Sequence, residues 1–318
     1  MTDRPVLLQT IALMPALERR LAERYTVHKL PPAGAERTAF LASRGGEFDG
    51  LVTSAGAGAD AALIDALPRL RVISSFGVGL DTLDLAAAAR RGIPVGYTPD
   101  VLNDCVADQA FALLLAVARR IPEADRYVRA GRWTAQPPVA FPLGRQVSGG
   151  KLGVVGLGRI GRTIARRATG FDMEVRYHAR NPVADVPWAH EPSLLELARW
   201  CDFLVVITAG GAGTRHLVDA GVLDALGTKG YIVNVARGTV IDEAALVRAL
   251  QDKRIAGAGL DVFEREPHVP PELFTLENVV LAPHLASATA QTREAMAQRV
   301  LDNLAAFFAG QPLPSEAR

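Results

Sequence analysis

Three residues at the ends of apolar runs carry the clearest chemistry in this sequence. Arg237 follows Asn234-Val235-Ala236, Glu266 follows Asp261-Val262-Phe263-Glu264-Arg265, and His284 follows Leu281-Ala282-Pro283. An imidazole can give or take a proton near neutral pH. A carboxylate beside it favours the protonated ring and fixes its tautomer. A guanidinium offers a fork of donors to a carboxylate, or to a carboxylate and a carbonyl together. Each residue also has a plainer reading. Arg237 could cap a helix at the surface, Glu266 could belong to a charged loop, and His284 could be a satisfied strand-end histidine. Their joint order favours the chemical reading, the interconversion of a keto acid and a hydroxy acid with hydride from a nicotinamide.

A second motif supports this. The apolar run Leu152-Gly153-Val154-Val155 leads directly into Gly156-Leu157-Gly158-Arg159-Ile160-Gly161, and a helical stretch follows. Gly156 permits a tight turn, Gly158 lets the backbone approach a pyrophosphate, and Gly161 lets the helix pack on the strand. The helix start then offers free N–H groups to the phosphates. The alternative is a plain glycine-rich turn.

The next strand bears on the cofactor. An NAD site places Asp or Glu roughly 20 residues beyond the glycines. Here the sequence reads Tyr177-His178-Ala179-Arg180-Asn181, without a carboxylate. Arg180 suits a ribose 2′-phosphate, with His178 or Asn181 assisting. A solvated arginine at a strand end is the other reading. The expectation is a preference for NADPH, with NADH possible.

Elements must position these groups. Strand-like runs at 6–10, 26–30, 51–54, 72–76 and 93–97 alternate with helix-like segments such as 15–24, 59–67 and 83–90. Residues 100–120 read as one buried helix, and 129–150 as an irregular Pro- and Gly-rich loop of the kind that is often functional. A second series of six strands follows, at 152–155, 174–177, 203–207, 231–235, 257–260 and 279–282, and residues 287–308 form a last helix. Alternation implies parallel sheets covered by helices. The fold class is α/β, with two doubly wound parallel-sheet domains. Arg237, Glu266 and His284 then share the crevice at the carboxyl ends of the second sheet.

Bulk properties agree. The 318 residues are too many for one ordinary core. Apolar residues make up 49% and charged ones 22%, a globular composition. A net charge of +1 gives no global field for nucleic acid or membrane. No apolar run is long enough to span a bilayer, and the start from Met1 to Pro5 lacks a signal-peptide layout. Cys105 and Cys201 lack metal-type spacing and read as core thiols in a reducing compartment. A cytoplasmic enzyme without a metal is expected.

The chain resembles the D-isomer-specific 2-hydroxyacid dehydrogenases over nearly its whole length. Besides the segments above, the resemblance rests on Gly77-Val78-Gly79-Leu80-Asp81 and Thr98-Pro99-Asp100-Val101-Leu102. It implies a flavodoxin-like substrate domain of residues 1–99 plus 286–318 and a Rossmann cofactor domain of residues 100–285. It implies homodimers through the cofactor domain. It assigns Arg237 to the substrate, Glu266 to orienting His284, and His284 to proton delivery. Val78 and Gly79 would present backbone N–H groups to the substrate carboxylate, with Leu80 beside them. Thr208, Ala209, Val235, Ala236, Asp261 and Val106 would line the cofactor, Asp261 near the nicotinamide amide.

The segment from Thr98 to Asp104 with an arginine-bearing second strand is similar to the glyoxylate/hydroxypyruvate reductases and also to hydroxyphenylpyruvate reductases. Two departures stand out: Ala286 where the family commonly has Gly, and Ala209-Gly210-Gly211-Ala212-Gly213 where it usually has Pro. Aromatic 2-oxo acids remain an alternative substrate class, and a dinucleotide-sensing binding protein an alternative function. Trp133, Phe141 and Arg145 either reach a neighbouring active site or pack locally.

Overall fold

Short runs of Val, Leu and Ile that are apolar on both faces build parallel strands, because helices must cover both sides of such a sheet. The computed structural model describes residues 4–134 and 140–317. The first three residues of the expected leaderless start, and residues 135–139 of the expected irregular loop, lie outside the described residues.

One compact unit comprises Met1–Leu102 and Thr289–Arg318. Its strands are β1 (Val6–Gln9), β2 (Thr26–Lys29), β3 (Gly50–Ser54), β4 (Val72–Phe76) and β5 (Val95–Gly96). They pair in parallel in the order β2-β1-β3-β4-β5, the flavodoxin-like arrangement. Helices α1 (Pro15–Arg24), α2 (Ala35–Arg44), α3 (Ala61–Asp65) and α4 (Leu85–Arg90) connect them, and α11 (Ala290–Phe308) returns at the chain's end. Every residue of β4 is buried. Leu8, Phe48, Leu51, Ile64, Leu67 and Ile73 form the centre of this core. Side-chain caps begin three of these helices, with Asp60, Asp84 and Thr289 each accepting a backbone N–H.

The other unit is Asn103–Ala288. It opens with α5 (Asn103–Ala118) and α6 (Ile121–Arg129). Strands β6 (Lys151–Val155), β7 (Glu174–His178), β8 (Ala189–His190), β9 (Phe203–Val206), β10 (Tyr231–Asn234), β11 (Gly257–Leu260) and β12 (Val279–Leu281) follow. Helices α7 (Arg159–Ala168), α8 (Leu194–Trp200), α9 (Ala220–Leu226) and α10 (Glu243–Gln251) lie between them. The order is β12-β11-β10-β9-β6-β7-β8, all parallel. The strand order reverses between β6 and β9, where such sheets bind ligands.

The structure differs from the sequence reading in local ways. The helix expected over 100–120 is shorter, because Asp100 and Arg120 take left-handed φ values of 70° and 56°. A separate helix, α6, starts beyond Arg120. Its neighbour α5 is buried on most faces, and Phe111 stacks on Phe171 with centroids 5.2 Å apart. Among the described residues the second sheet has seven strands rather than six, the extra one being the two-residue edge strand β8. Only Cys201 is a core thiol, and burial pushes it up to about 12. Cys105 is half-buried in the first turn of α5. Among the described residues no helix is long and apolar enough to cross a membrane.

Asn303 ties α11 into the first unit. It is fully buried, its Nδ2 donates to the Tyr97 carbonyl at 3.2 Å, and its Oδ1 accepts the Ser315 N–H at 3.2 Å. Removing the amide strands both partners in a site closed to water. Asn303→Ala is expected to lower the unfolding free energy by about 1–3 kcal/mol. A lower urea midpoint is the expected result, and an unchanged midpoint would contradict this account.

Candidate active site

Gly156, just past β6, has φ of 100°. A Cβ there would lie 2.7 Å from the Thr208 Cα, so the turn after β6 and the end of the β9 strand meet backbone to backbone. A Cβ on Gly161 would lie 2.1 Å from the Gly156 carbonyl oxygen. Gly158 is the opposite case: nothing lies within 4 Å of the place a Cβ would take. Two glycines close the turn and the third leaves a cradle at the start of α7, where the first-turn N–H groups lack helical partners. That cradle fits the phosphates of a dinucleotide. Leu157 is buried, Ile160 half-buried and Arg159 exposed. Thr208 is half-buried and Ala209 exposed, and the glycine-rich loop after them is closed by Thr214, whose hydroxyl donates to the Ala209 carbonyl at 2.7 Å.

β7 ends at His178, whose carbonyl accepts the Gly156 N–H at 2.9 Å. His178 and Ala179 are half-buried, while Arg180 and Asn181 are exposed. Val106 is buried on α5.

The three reactive groups gather at the ends of β10, β11 and β12. Asn234 closes β10 and is almost fully buried. Its Nδ2 donates to the Arg237 carbonyl and its Oδ1 accepts the Ala236 N–H, both at 3.0 Å. This clasp bends the chain at Val235 and Ala236 and presents Arg237. Next to it, a Cβ on Gly238 would lie 1.9 Å from the Phe263 carbonyl carbon. The Arg237 bend therefore packs directly on the segment that leads to Glu266.

Glu266 is held at both oxygens. Oε1 accepts the Phe263 N–H at 3.1 Å, and Oε2 meets His284 Nδ1 at 2.7 Å. A carboxylate accepts, so Nδ1 carries the hydrogen and Nε2 is the ring nitrogen left for exchange with a ligand. Burial pushes the Glu266 carboxyl up. The hydrogen bond and charge of His284, the Phe263 N–H and the Arg237 charge outweigh it and hold the group below the ordinary glutamate value. The pair is thus complete above that ordinary value and is lost as pH falls through the lowered one.

His284 itself sits at φ 51°, a left-handed conformation that costs a non-glycine residue about 1 kcal/mol or more. Asp261, at the end of β11, holds it there. The Asp261 carbonyl accepts the His284 N–H at 2.8 Å. Its carboxylate accepts the Leu285 N–H at 2.9 Å and the Ala286 N–H at 3.0 Å. Asp261 is fully buried, and burial pushes its carboxyl up against the pull of those two N–H groups and of His284. Both side-chain oxygens are thus engaged with the chain itself. Ala286 is buried, with its N–H turned to Asp261.

In the first unit, Gly77 follows β4 with φ of 142°, and a Cβ there would lie 2.5 Å from the Ala55 Cβ. Its N–H donates to the Thr98 hydroxyl at 3.1 Å. Val78, Gly79 and Leu80 continue from this pinned point, half-buried. Sequence reading missed the Asn234 clasp and the second use of Asp261. The available signal was a polar residue closing an apolar strand, since such buried groups must be satisfied.

Comparison with known proteins places this geometry. Residues 111–286 match the model of the NAD binding domain of D-isomer specific 2-hydroxyacid dehydrogenases. The chain is 44% identical to a 2-ketogluconate reductase of Gluconobacter oxydans over 313 residues, covering 98% of each chain. It is 46% identical to a glyoxylate/hydroxypyruvate reductase A of Arabidopsis thaliana, covering 93% of this chain and 94% of that one. Its structure is similar to that of an NADPH-dependent glyoxylate/hydroxypyruvate reductase from Sinorhizobium meliloti in complex with NADP and malonate. That match has a TM-score of 0.92 at 42% identity, covering 99% of this chain and 97% of the other.

Asp261→Asn tests the hold on the His284 turn. The amide keeps the shape but sets an NH2 against an N–H donor. Unfolding free energy is expected to fall by about 1–3 kcal/mol, read from urea denaturation. Full retention of stability would show that the two N–H bonds do not anchor the turn.

Proposed function

The chain belongs to the D-isomer specific 2-hydroxyacid dehydrogenases and is an NAD(P)-dependent oxidoreductase, and we propose that it reduces small 2-oxo acids, glyoxylate and hydroxypyruvate foremost, to D-2-hydroxy acids with NADPH. The observation that carries this reading is the 2.7 Å His284–Glu266 bond within reach of the Arg237 charge. The relatives named as glyoxylate/hydroxypyruvate reductases support the substrate class.

A bound nicotinamide cofactor supplies the hydride. The Gly156–Gly161 turn and the start of α7 would hold its pyrophosphate, with Leu157, Arg159 and Ile160 shaping the turn. Thr208, Ala209, Val235, Ala236 and Val106 would line the rest, and Asp261 would support the nicotinamide end. Arg180, with His178, Ala179 and Asn181, would take a ribose 2′-phosphate. Arg237 grips the substrate carboxylate and carbonyl through its donor fork. Val78 and Gly79, with Leu80 beside them, would offer backbone N–H groups to a substrate carboxylate. As the carbonyl carbon gains the hydride, its oxygen takes the proton from His284 Nε2. Glu266 holds Nδ1–H, so the ring keeps the tautomer and orientation that this transfer needs.

We also assign the second unit as the dimerisation surface. Ile121, Val128, Trp133 and Leu143 are exposed large apolar residues within one stretch of it, and Leu143 is 95% exposed. A second copy of the chain is the occupant this surface fits. Light scattering should give twice the 33.9 kDa chain mass; a monomer at assay concentration contradicts this assignment.

Loss of absorbance at 340 nm with NADPH tests the reaction over glyoxylate, hydroxypyruvate, 2-ketogluconate and hydroxyphenylpyruvate. The highest kcat/KM is expected with the first two, and an aromatic or sugar-acid preference would overturn that choice. His284→Ala should cut kcat about 100-fold or more, the scale of a lost proton donor; near-full activity would remove His284 from the mechanism. Arg180→Ala should raise KM for NADPH about tenfold or more and leave KM for NADH in place, because charge-assisted bonds to a phosphate are lost. Wild-type protein that favours NADH would refute the cofactor assignment.

A further inference from the structure

The turn that follows β7 is built more firmly than its exposed position requires. Three side chains clamp residues 178–183 from the edge of the sheet. His190, in β8, places Nε2 at 2.9 Å from the Ala179 carbonyl. His178 places Nδ1 at 3.0 Å from the Glu191 carbonyl. The Tyr177 hydroxyl accepts the Val183 N–H at 2.8 Å. Carbonyls only accept, so each histidine donates from the named nitrogen. The His190 ring also leans on Tyr177, with centroids 5.1 Å apart.

The direction of the Ala179 carbonyl decides what the turn presents. In a planar trans peptide the C=O of one residue and the N–H of the next point to opposite sides. Anchoring the Ala179 oxygen to β8 therefore turns the Arg180 N–H away from β8. It also removes a carbonyl oxygen from the side on which an anion would sit. Among the described residues neither the Arg180 N–H nor its guanidinium has a hydrogen bond or ion pair. A free backbone donor and a free guanidinium thus stand on one exposed residue, at the strand end where the ribose of a dinucleotide is bound in such sheets.

We propose that His190 is a positioning residue of a 2′-phosphate subsite, holding the Ala179 carbonyl so that Arg180 meets the phosphate with both its N–H and its guanidinium. This rests on the NADPH reading above and names what makes that preference possible. β8 contributes two residues and, among the described residues, pairs only with β7. On this account the edge strand is present to carry that ring.

Binding calorimetry on the full chain with 2′,5′-ADP and with AMP tests this without turnover. His190→Phe keeps a ring against Tyr177 and loses the N–H. His190→Gln restores a donor at similar reach. His190→Phe is expected to weaken 2′,5′-ADP about three- to tenfold, the scale of one lost neutral hydrogen bond, and to leave AMP unchanged. His190→Gln is expected to recover most of the loss. KM should follow, rising for NADPH and holding for NADH. Equal weakening of both nucleotides in a folded His190→Phe protein, or none in either, overturns the assignment of His190 alone. Wild-type protein that binds 2′,5′-ADP no more tightly than AMP overturns the NADPH reading and this inference with it.

Discussion

Parallel pairing in the seven-stranded sheet is the constraint on which the candidate site depends. Because all seven strands run the same way, every carboxyl end opens on one edge. The glycine turn leaves β6, the arginine turn leaves β7, the Asn234 clasp leaves β10, Asp261 follows β11, and His284 follows β12. A single reversed strand would carry its reactive turn to the far edge. Strand direction therefore brings the phosphate cradle and the proposed anion fork and proton donor to one side of the sheet.

Within that frame, close backbone approach does the fine placement. Gly156, Gly161 and Gly238 each stand where a Cβ would meet backbone atoms under 3 Å away. Packing at that distance cannot yield by rotating a side chain, so the turns are located to within a fraction of an ångström. Asp261 completes the placement electrostatically. Its buried carboxylate is unfavourable in itself, and that cost is offset only while the 285–286 N–H groups are in place. Asp261 and the His284 turn thus stabilise each other, and the left-handed conformation at His284 persists because main-chain and side-chain bonds over-determine it.

Much of this was legible in the sequence, and the legible part has a common character. The glycine turn and the apolar strands are patterns over a few adjacent residues, and Arg237, Glu266 and His284 were read from where each follows such a strand. The missing acid at 178–181 was legible for the same reason. What escaped depends on contacts between distant residues or on elements too short to show a period. β8 has two residues, so no alternation exists to read. The Asn303 bond to Tyr97 spans 206 positions. The helix expected over 100–120 failed at its ends because Asp100 and Arg120 leave helical φ, which composition does not signal. Asp261 was read as lining the cofactor near the nicotinamide amide, and its bonds to Leu285 and Ala286, which depend on how β11 and β12 align, were not legible.

The strand order also separates two tasks. Groups proposed to choose the cofactor lie on the β7–β8 side of β6, and groups proposed to move the proton lie on the β10–β12 side. No hydrogen bond or ion pair among the described residues links the 178–183 turn to Glu266 or His284. Residues without shared partners contribute to free energy almost independently. The edge of the sheet can therefore change, strand by strand and turn by turn, without disturbing the imidazole and its carboxylate. The sheet holds the two proposed sets of groups apart while opening both on the same side.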